Sequence, residues 1–171
     1  MNRALFLDRD GVINIEKNYL HKIEDFEFVE GIFELCRYYV QQGYLIFVVT
    51  NQSGIARGYY DEEDFEKLTV WMKEQFKREG VQITHVYHCP HHPEISGPCR
   101  CRKPHPGMLV EADQRYHIDM SQSLLVGDAE RDIEAAINAG VAKRYLYVHE
   151  GHKPKVTSAT AVITSLKELI C

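Results

Sequence analysis

The sequence predicts an α/β fold: a Rossmann-like parallel sheet with helices on both faces, in three layers. Short apolar runs typical of buried strands alternate along the 171-residue chain with amphipathic stretches of helical spacing. Strand–helix alternation of this kind implies parallel strands joined by crossover helices. Most of the strands are also followed by polar residues, which would collect these residues at one edge of the sheet.

Six strands are expected, and several of them end beside side chains that can do chemistry. Ala4 to Leu7 is an apolar run that stops at Asp8, and 45–49 is a second that stops at Thr50. The remaining strands are predicted at 83–88, 123–126, 145–148 and 161–163.

The helices follow from apolar residues at helical spacing and from glycines that end them. They are expected before Gly43, from Asp61 to Gly80, after Pro106 and before Gly140. A last helical turn is expected within 165–170.

The length and spacing of the elements predict one domain over residues 1–171. Only about 30 residues separate Asn14 from the second strand, and one helix takes much of that span. The other insertion point holds only a loop rich in Cys and His, residues 89–101. We therefore expect an open site with no cap domain.

Composition limits the partners and the place of work. A net charge of -5 argues against a nucleic-acid binder or an anionic-membrane binder, because both favour a basic face. The N-terminus lacks the apolar core of a signal peptide, and no apolar stretch approaches the ~20 residues of a membrane span. The expectation is a cytoplasmic monomer acting on a small molecule.

The strand ends supply parts suited to phosphoryl transfer. Asp8 and Asp10 flank Arg9, so two carboxylates can enter one pocket and divide the work of nucleophile and proton carrier. Taken alone, two acids that flank an arginine at a strand end are usually a solvated turn. The coincidence of further polar groups at the same edge favours a site, and those groups are Thr50, Lys103, Asp128 and Asp132.

These residues stand in four motifs, D-R-D-G-V, T-N-Q-S-G, the Lys of R-K-P, and G-D-A-E-R-D. Their order and context resemble those of the haloacid dehalogenase-like superfamily over essentially the whole chain. By that resemblance Asp8 would attack phosphorus, and Asp10 would protonate the leaving oxygen and later activate water.

The resemblance also implies a catalytic Mg²⁺, a hard cation that takes oxygen ligands. It would bind the Asp8 carboxylate, the Asp10 carbonyl and Asp128. Asp132 would either bind the ion directly or support it through a water molecule. The residues that would hold the transferring phosphoryl group or lie beside it are Thr50, Arg102 and Lys103.

The loop at 89–101 carries a C-x-H…C-x-C array that predicts a structural Zn²⁺ site. Three thiolates and one imidazole, from Cys89, His91, Cys99 and Cys101, suit tetrahedral zinc with no open position. The alternative is a reduced loop without metal. An odd count of five cysteines, three of them in this loop, fits a metal site better than disulfides.

The stretches C-P-H-H-P…C-R-C-R-K-P-H-P-G-M and N-Q-S-G-I-A-R-G resemble the heptose-bisphosphate phosphatase family, which is related to histidinol-phosphate phosphatases. That likeness implies removal of the 7-phosphate of a heptose 1,7-bisphosphate on the route to lipopolysaccharide precursors. Besides Asp8 to Asp10, the residues it implies for substrate binding are Glu16, Lys17, Asn18, Tyr19, Thr50, Asn51, Gln52, Ser53, Arg102 and Lys103.

Two departures and four alternatives accompany this hypothesis. The stretch from His91 to Cys99 is short, and Ala129 stands where some relatives place a lysine. A histidinol-phosphate phosphatase or another sugar-phosphate phosphatase would share the chemistry. An open site could also serve a phosphatase of protein partners, and a binding module that has lost catalysis is the alternative from another class.

Overall fold

The computed structural model describes residues 1–149, 154 and 156–171. Strands β1 to β6 span Ala4–Leu7, Leu45–Asn51, His85–Cys89, Leu124–Gly127, Lys143–Tyr147 and Ala161–Ile163. Helices α1 to α4 span Ile32–Gln41, Glu62–Arg78, Gly107–Tyr116 and Glu130–Ala139. Short 3₁₀ turns lie at Ile23–Asp25, Met120–Gln122 and Leu166–Leu169.

The strands form one sheet in the order β3-β2-β1-β4-β5-β6, and every neighbouring pair is parallel. The predicted fold class is therefore confirmed. The bounds of β1 and β6 match the prediction, and those of the other strands differ by at most two residues. The third strand begins at His85 instead of Ile83, and the fifth begins two residues earlier, at Lys143. Charged Lys143 and Arg144 pair with β4 although their side chains break the apolar pattern that sequence periodicity uses.

Alternation along the strands separates two hydrophobic cores. Leu5 and Leu7 of β1 face a core shared with α1, α2 and the last 3₁₀ turn, whereas Ala4 and Phe6 face a core shared with α3 and α4. All four of these side chains are fully buried. A strand buried on both faces reads as a continuous apolar run, which explains why β1 was visible in the sequence.

The order of the strands makes β1 the centre of the chemistry. The chain runs outward from β1 in one direction through β2 and β3, and in the other through β4, β5 and β6. In open parallel sheets, ligands bind beyond the carboxyl ends of the strands where the order reverses. That crevice lies at the ends of β1 and β4, next to Asp8 and Asp128.

No inserted domain covers this crevice within the described residues. Between β1 and α1, the chain makes one 3₁₀ turn and two isolated bridges, Asp10 to Asn14 and Asn14 to Phe28. The absence of a cap therefore agrees with the spacing of the sequence. Among the residues described here, no helix has the length and apolarity needed to cross a membrane.

Gly11 turns the chain after β1 and leaves room for a carboxylate of the site. Its φ of +94° is in the region that favours glycine. A Cβ at this position would overlap the carboxylate of Asp128. The first loop and the loop after β4 therefore approach each other closely only because residue 11 has no side chain.

We predict that Gly11→Ala destabilises the fold by at least about 1 kcal/mol more than Gly140→Ala, measured by urea unfolding. Gly140 is the matched control because its φ is +82° but a Cβ there would meet nothing within 4 Å. The control isolates backbone strain, so the excess reports displacement of Asp128. Equal losses in the two variants would contradict this account of the turn.

Candidate active site

Lys103 lies at the centre of the polar groups beyond the strand ends. Its ammonium is 3.0 Å from Asp8 Oδ1 and 2.5 Å from Asp132 Oδ1, and it donates to the Val49 carbonyl at 2.9 Å. The lysine is only 3% exposed. One buried cation thus connects the ends of β1 and β2 with the first turn of α4.

The charges in this cluster shift one another's ionisation. Burial, with the neighbouring Asp132 carboxylate, raises the pKa of Asp8 well above its ordinary value, and Lys103 partly opposes that rise. Burial alone would lower the pKa of Lys103, but Asp132 and Asp8 raise it above the ordinary value. The lysine is therefore charged, and further positive charge placed beside Asp8 would lower the pKa of its carboxyl.

The acidic groups outnumber the buried cation. Asp8, Asp128 and Asp132 each place a carboxylate oxygen within 4.8 Å of the others. Burial and Asp132 also raise the pKa of Asp128. Three converging carboxylates against one lysine form a donor set that fits a hard divalent cation such as Mg²⁺.

Asp132 is already engaged by protein groups on both of its oxygens. Oδ2 accepts hydrogen bonds from the backbone N–H groups of Asp128 and Ala129, each at 3.1 Å, and Oδ1 faces Lys103. It is the third residue of α4 and caps the start of that helix. These contacts favour the supporting role among the two that the sequence left open for Asp132.

Asp10 is held by a separate set of donors. The guanidinium of Arg9 contacts both carboxylate oxygens at 3.1–3.3 Å, and Asn14 Nδ2 and Gln52 Nε2 each donate to one oxygen at 3.0 Å. Arg9 is 1% exposed and also donates to the Leu20 carbonyl. Sequence reasoning missed this role of Arg9, since an arginine between two acids at a strand end reads as a solvated group.

The T-N-Q-S stretch at the end of β2 supplies three side chains that form hydrogen bonds. Thr50 is buried, and its hydroxyl accepts a hydrogen bond from Gln52 Nε2 at 2.9 Å. Asn51 Oδ1 accepts from the backbone N–H of Lys103 at 3.0 Å. Asn51 thus fixes the segment that carries the lysine, in addition to its predicted contact with substrate.

A cleft of about 280 Å³ opens beside this cluster. Most of the residues predicted to bind substrate line it, namely Asp10, Glu16, Asn18, Tyr19, Asn51, Gln52, Ser53 and Arg102. Thr50 and Lys103 are buried beneath it. Lys17 does not line it, because its ammonium is directed to Glu27, 3.6 Å away.

Three residues of the cleft were not predicted as site residues: Arg57, Tyr60 and Arg131. Arg57 and Arg131 belong to the motif stretches N-Q-S-G-I-A-R-G and G-D-A-E-R-D, so their position in a motif was the available signal. Arg131 lies two residues beyond Ala129, where some relatives have a lysine. It places a positive charge in the cleft although residue 129 does not.

The rim at residues 16–19 has an unusual backbone. Asn18 and Tyr19 have φ of +51° and +58°, which is uncommon for residues other than glycine. The Asn18 N–H donates to Glu16 Oε1 at 2.7 Å. Burial and the charge of Asp10 raise the pKa of Glu16. Strained backbone of this kind often occurs where a loop presents groups to a ligand.

The cysteine loop brings together three of its four predicted zinc ligands. The sulfur atoms of Cys89, Cys99 and Cys101 lie within 4.8 Å of one another, and all three thiols are free. His91 is not part of this group; its backbone carbonyl accepts from Arg102 at 3.4 Å. The three sulfurs fit a thiophilic ion such as Zn²⁺ and supply three of the four ligands that a structural zinc site takes.

Residues 100–169 match a family model described as HAD-hydrolase-like. A curated Campylobacter jejuni protein named D-glycero-alpha-D-manno-heptose-1,7-bisphosphate 7-phosphatase is 52% identical over 148 residues, covering 86% of this chain and 84% of that protein. An Escherichia coli relative named as the beta-heptose phosphatase is 47% identical over 148 residues, covering 84% and 78%.

A solved structure agrees with these sequence relatives. The D,D-heptose 1,7-bisphosphate phosphatase of B. bronchiseptica, crystallised with magnesium and phosphate, superposes with a TM-score of 0.85 at 30% identity. The match covers 96% of this chain and 93% of that chain. The chain therefore belongs to the heptose-bisphosphate phosphatase family of the haloacid dehalogenase-like hydrolases.

Proposed function

We propose that the protein removes the 7-phosphate of D-glycero-D-manno-heptose 1,7-bisphosphate through a phosphoryl-aspartate on Asp8. The observation that carries the proposal is the buried Asp8–Lys103–Asp132 cluster beside an arginine-lined cleft. The close relatives named for this reaction support the choice of substrate. The product would enter the synthesis of nucleotide-activated heptose for lipopolysaccharide.

The residues divide the reaction between two carboxylates. Asp8 Oδ2 attacks phosphorus while Lys103 remains on Oδ1, and Thr50 and Lys103 stabilise the charge on the phosphoryl oxygens. Asp10 gives its proton to the leaving sugar oxygen and then takes one from the water that attacks the phosphoryl-aspartate. Mg²⁺ held by Asp8, the Asp10 carbonyl and Asp128 supplies the positive charge that brings an anionic phosphate to an acidic pocket.

The charges that line the cleft support a bisphosphate as the preferred substrate. Arg57, Arg102 and Arg131 line it, and none of them forms an ion pair within the described part of the chain. A guanidinium pairs well with phosphate oxygens through its planar donors. A second phosphate would find unpaired cations there, whereas the ammonium of histidinol phosphate would be repelled.

We further propose that Cys89, His91, Cys99 and Cys101 bind one structural Zn²⁺. The converging sulfurs support it, and the loop leads directly into Arg102 and Lys103. The proposed place of work is the cytoplasm, where thiols stay reduced, and the five cysteines are free. A monomer is proposed as the working form. The partner is a small phosphorylated sugar, and nucleic acid and membrane are not expected as partners.

Asp8→Asn is expected to reduce kcat more than about a hundredfold, because an amide cannot attack phosphorus. Rates are measured by phosphate release from the heptose bisphosphate. Asp25→Asn, at an exposed aspartate of the first 3₁₀ turn, is the control and should retain wild-type rates. An Asp8→Asn protein with more than about a hundredth of wild-type kcat would reject the nucleophile assignment.

Heptose 1,7-bisphosphate, assayed as both anomers, should be hydrolysed with kcat/KM at least tenfold above histidinol phosphate, about 1.4 kcal/mol. Arg102→Ala and Arg131→Ala should narrow that gap by harming the bisphosphate, while exposed Arg78→Ala at the end of α2 should not. A wild-type preference for histidinol phosphate would overturn the heptose assignment and leave the phosphatase assignment intact.

Elemental analysis of protein never exposed to strong chelator is expected to give close to one zinc per chain. Cys99→Ser should lose that zinc, whereas Cys171→Ser, at an exposed cysteine outside the loop, should keep it.

Mild EDTA should abolish activity that Mg²⁺ alone restores, because thiolates hold Zn²⁺ more tightly than carboxylates hold Mg²⁺. Zinc-free wild-type protein would refute the metal assignment of the loop.

A further inference from the structure

Gln52 has an environment that its predicted contact with substrate does not explain. Its side-chain amide is buried at 3% exposure and makes three hydrogen bonds, all to protein side chains. Nε2 donates to Asp10 Oδ2 at 3.0 Å and to Thr50 Oγ1 at 2.9 Å. One amide therefore ties together two groups that act on opposite sides of the reacting phosphorus–oxygen bond.

The third hydrogen bond fixes which way that amide faces. The hydroxyl of Tyr60 donates to Gln52 Oε1. With its oxygen occupied there, the amide can present both of its N–H groups to Asp10 and Thr50. Without the hydroxyl, Oε1 would be a buried acceptor with no donor, at a cost that favours turning the amide away from its two partners.

The position of Tyr60 is itself built into the fold. A Cβ on residue 54 would overlap the tyrosine ring, so Gly54 allows the ring to enter the loop. His21 stacks on the other side with ring centres 5.0 Å apart and an interplanar angle of 10°. The ring is 6% exposed, and burial raises the pKa of its hydroxyl, so it remains protonated as a donor.

We propose that Tyr60 is a positioning residue that acts only through Gln52 to align the Asp10 carboxylate with the Thr50 hydroxyl. The proposal rests on the proposed phosphatase function and assigns Gln52 to the same relay. Asp10 is fixed on its other side by buried Arg9, so the relay from Tyr60 completes its orientation. Thr50 is held by the same amide, which couples the phosphoryl-binding group to the proton carrier.

The test is a double-mutant cycle with Tyr60→Phe and Gln52→Met, which keep the bulk of each side chain and remove its hydrogen bonds. Tyr60→Phe should lower kcat about tenfold with KM within twofold, since the aligned groups act in the transition state. Gln52→Met should lower kcat at least as much. The double variant should match Gln52→Met within twofold, because no relay then remains for the hydroxyl to act on.

Tyr87→Phe is the matched control, since Tyr87 is equally buried at 4% exposure but belongs to β3 and does not line the cleft. It should leave kcat and KM unchanged. Thermal unfolding of each variant shows whether a loss of rate reflects a loss of fold.

If the fold-reduction in kcat of the double variant equals the product of the two single reductions, the proposal is overturned, since Tyr60 would then act independently of Gln52. A rise in KM without a fall in kcat would also overturn it, because the hydroxyl would be contacting substrate. If wild-type protein does not hydrolyse the heptose bisphosphate, the proposed substrate fails separately. The cycle can then be run with p-nitrophenyl phosphate as the phosphomonoester.

Discussion

The burial of Lys103 is the constraint on which the rest of the site depends. A lysine that is almost inaccessible to water must be surrounded by acceptors, and it finds them in Asp8, Asp132 and the Val49 carbonyl. These acceptors come from the ends of β1 and β2 and from α4. The lysine can satisfy its charge only if those elements meet, so the sheet order and the site specify each other.

The surrounding loops hold Lys103 in that position from outside. Asn51 bonds to its backbone, and the Gln52 N–H donates to the Cys89 carbonyl at 2.7 Å. The cysteine loop and the loop after β2 are therefore connected directly, as well as through the lysine. A metal bound by the cysteines would stiffen both loops at once, which gives a structural zinc a consequence for the catalytic groups.

The sequence predicted best those strands whose side chains are buried along the whole length of the strand. Strands β1 and β2 are buried on both faces, so their apolar runs predicted the sheet and located Asp8 and Thr50 at its edge. The coincidence of polar groups at that edge added Lys103 and Asp128, and the C-x-H…C-x-C spacing added the cysteines. Residues whose role depends on contacts across the fold were missed, and Tyr60 is the clearest example because its partner Gln52 is identified only by the folded loop.

The contacts of charged side chains on loops are the hardest to predict from the sequence. Lys17 adjoins Glu16 in the chain, but its ammonium lies beside Glu27 and it does not line the cleft. Arg9 lies between two acids in the sequence, and folding buries it with its charge on Asp10. Periodicity reports which face a residue occupies, but it does not report which distant residue will pair with a charge on a loop.

Asp8 and Asp10 are only two residues apart, but each carboxylate is paired with a different cation, Lys103 for Asp8 and Arg9 for Asp10. The two carboxylates can therefore have different roles. Asp8 is buried beside Lys103 and two further acids, so burial and the Asp132 carboxylate raise the pKa of its carboxyl while Lys103 opposes that rise. Asp10 is more open to the cleft and is oriented by Arg9 and by the side-chain amides of Asn14 and Gln52. Separate environments for a pair of acids are a general way to obtain a nucleophile and a proton carrier from the same residue type. In this chain the separation is achieved by one turn after β1, with Asp8 facing the sheet edge and Asp10 facing the loop that carries Gln52.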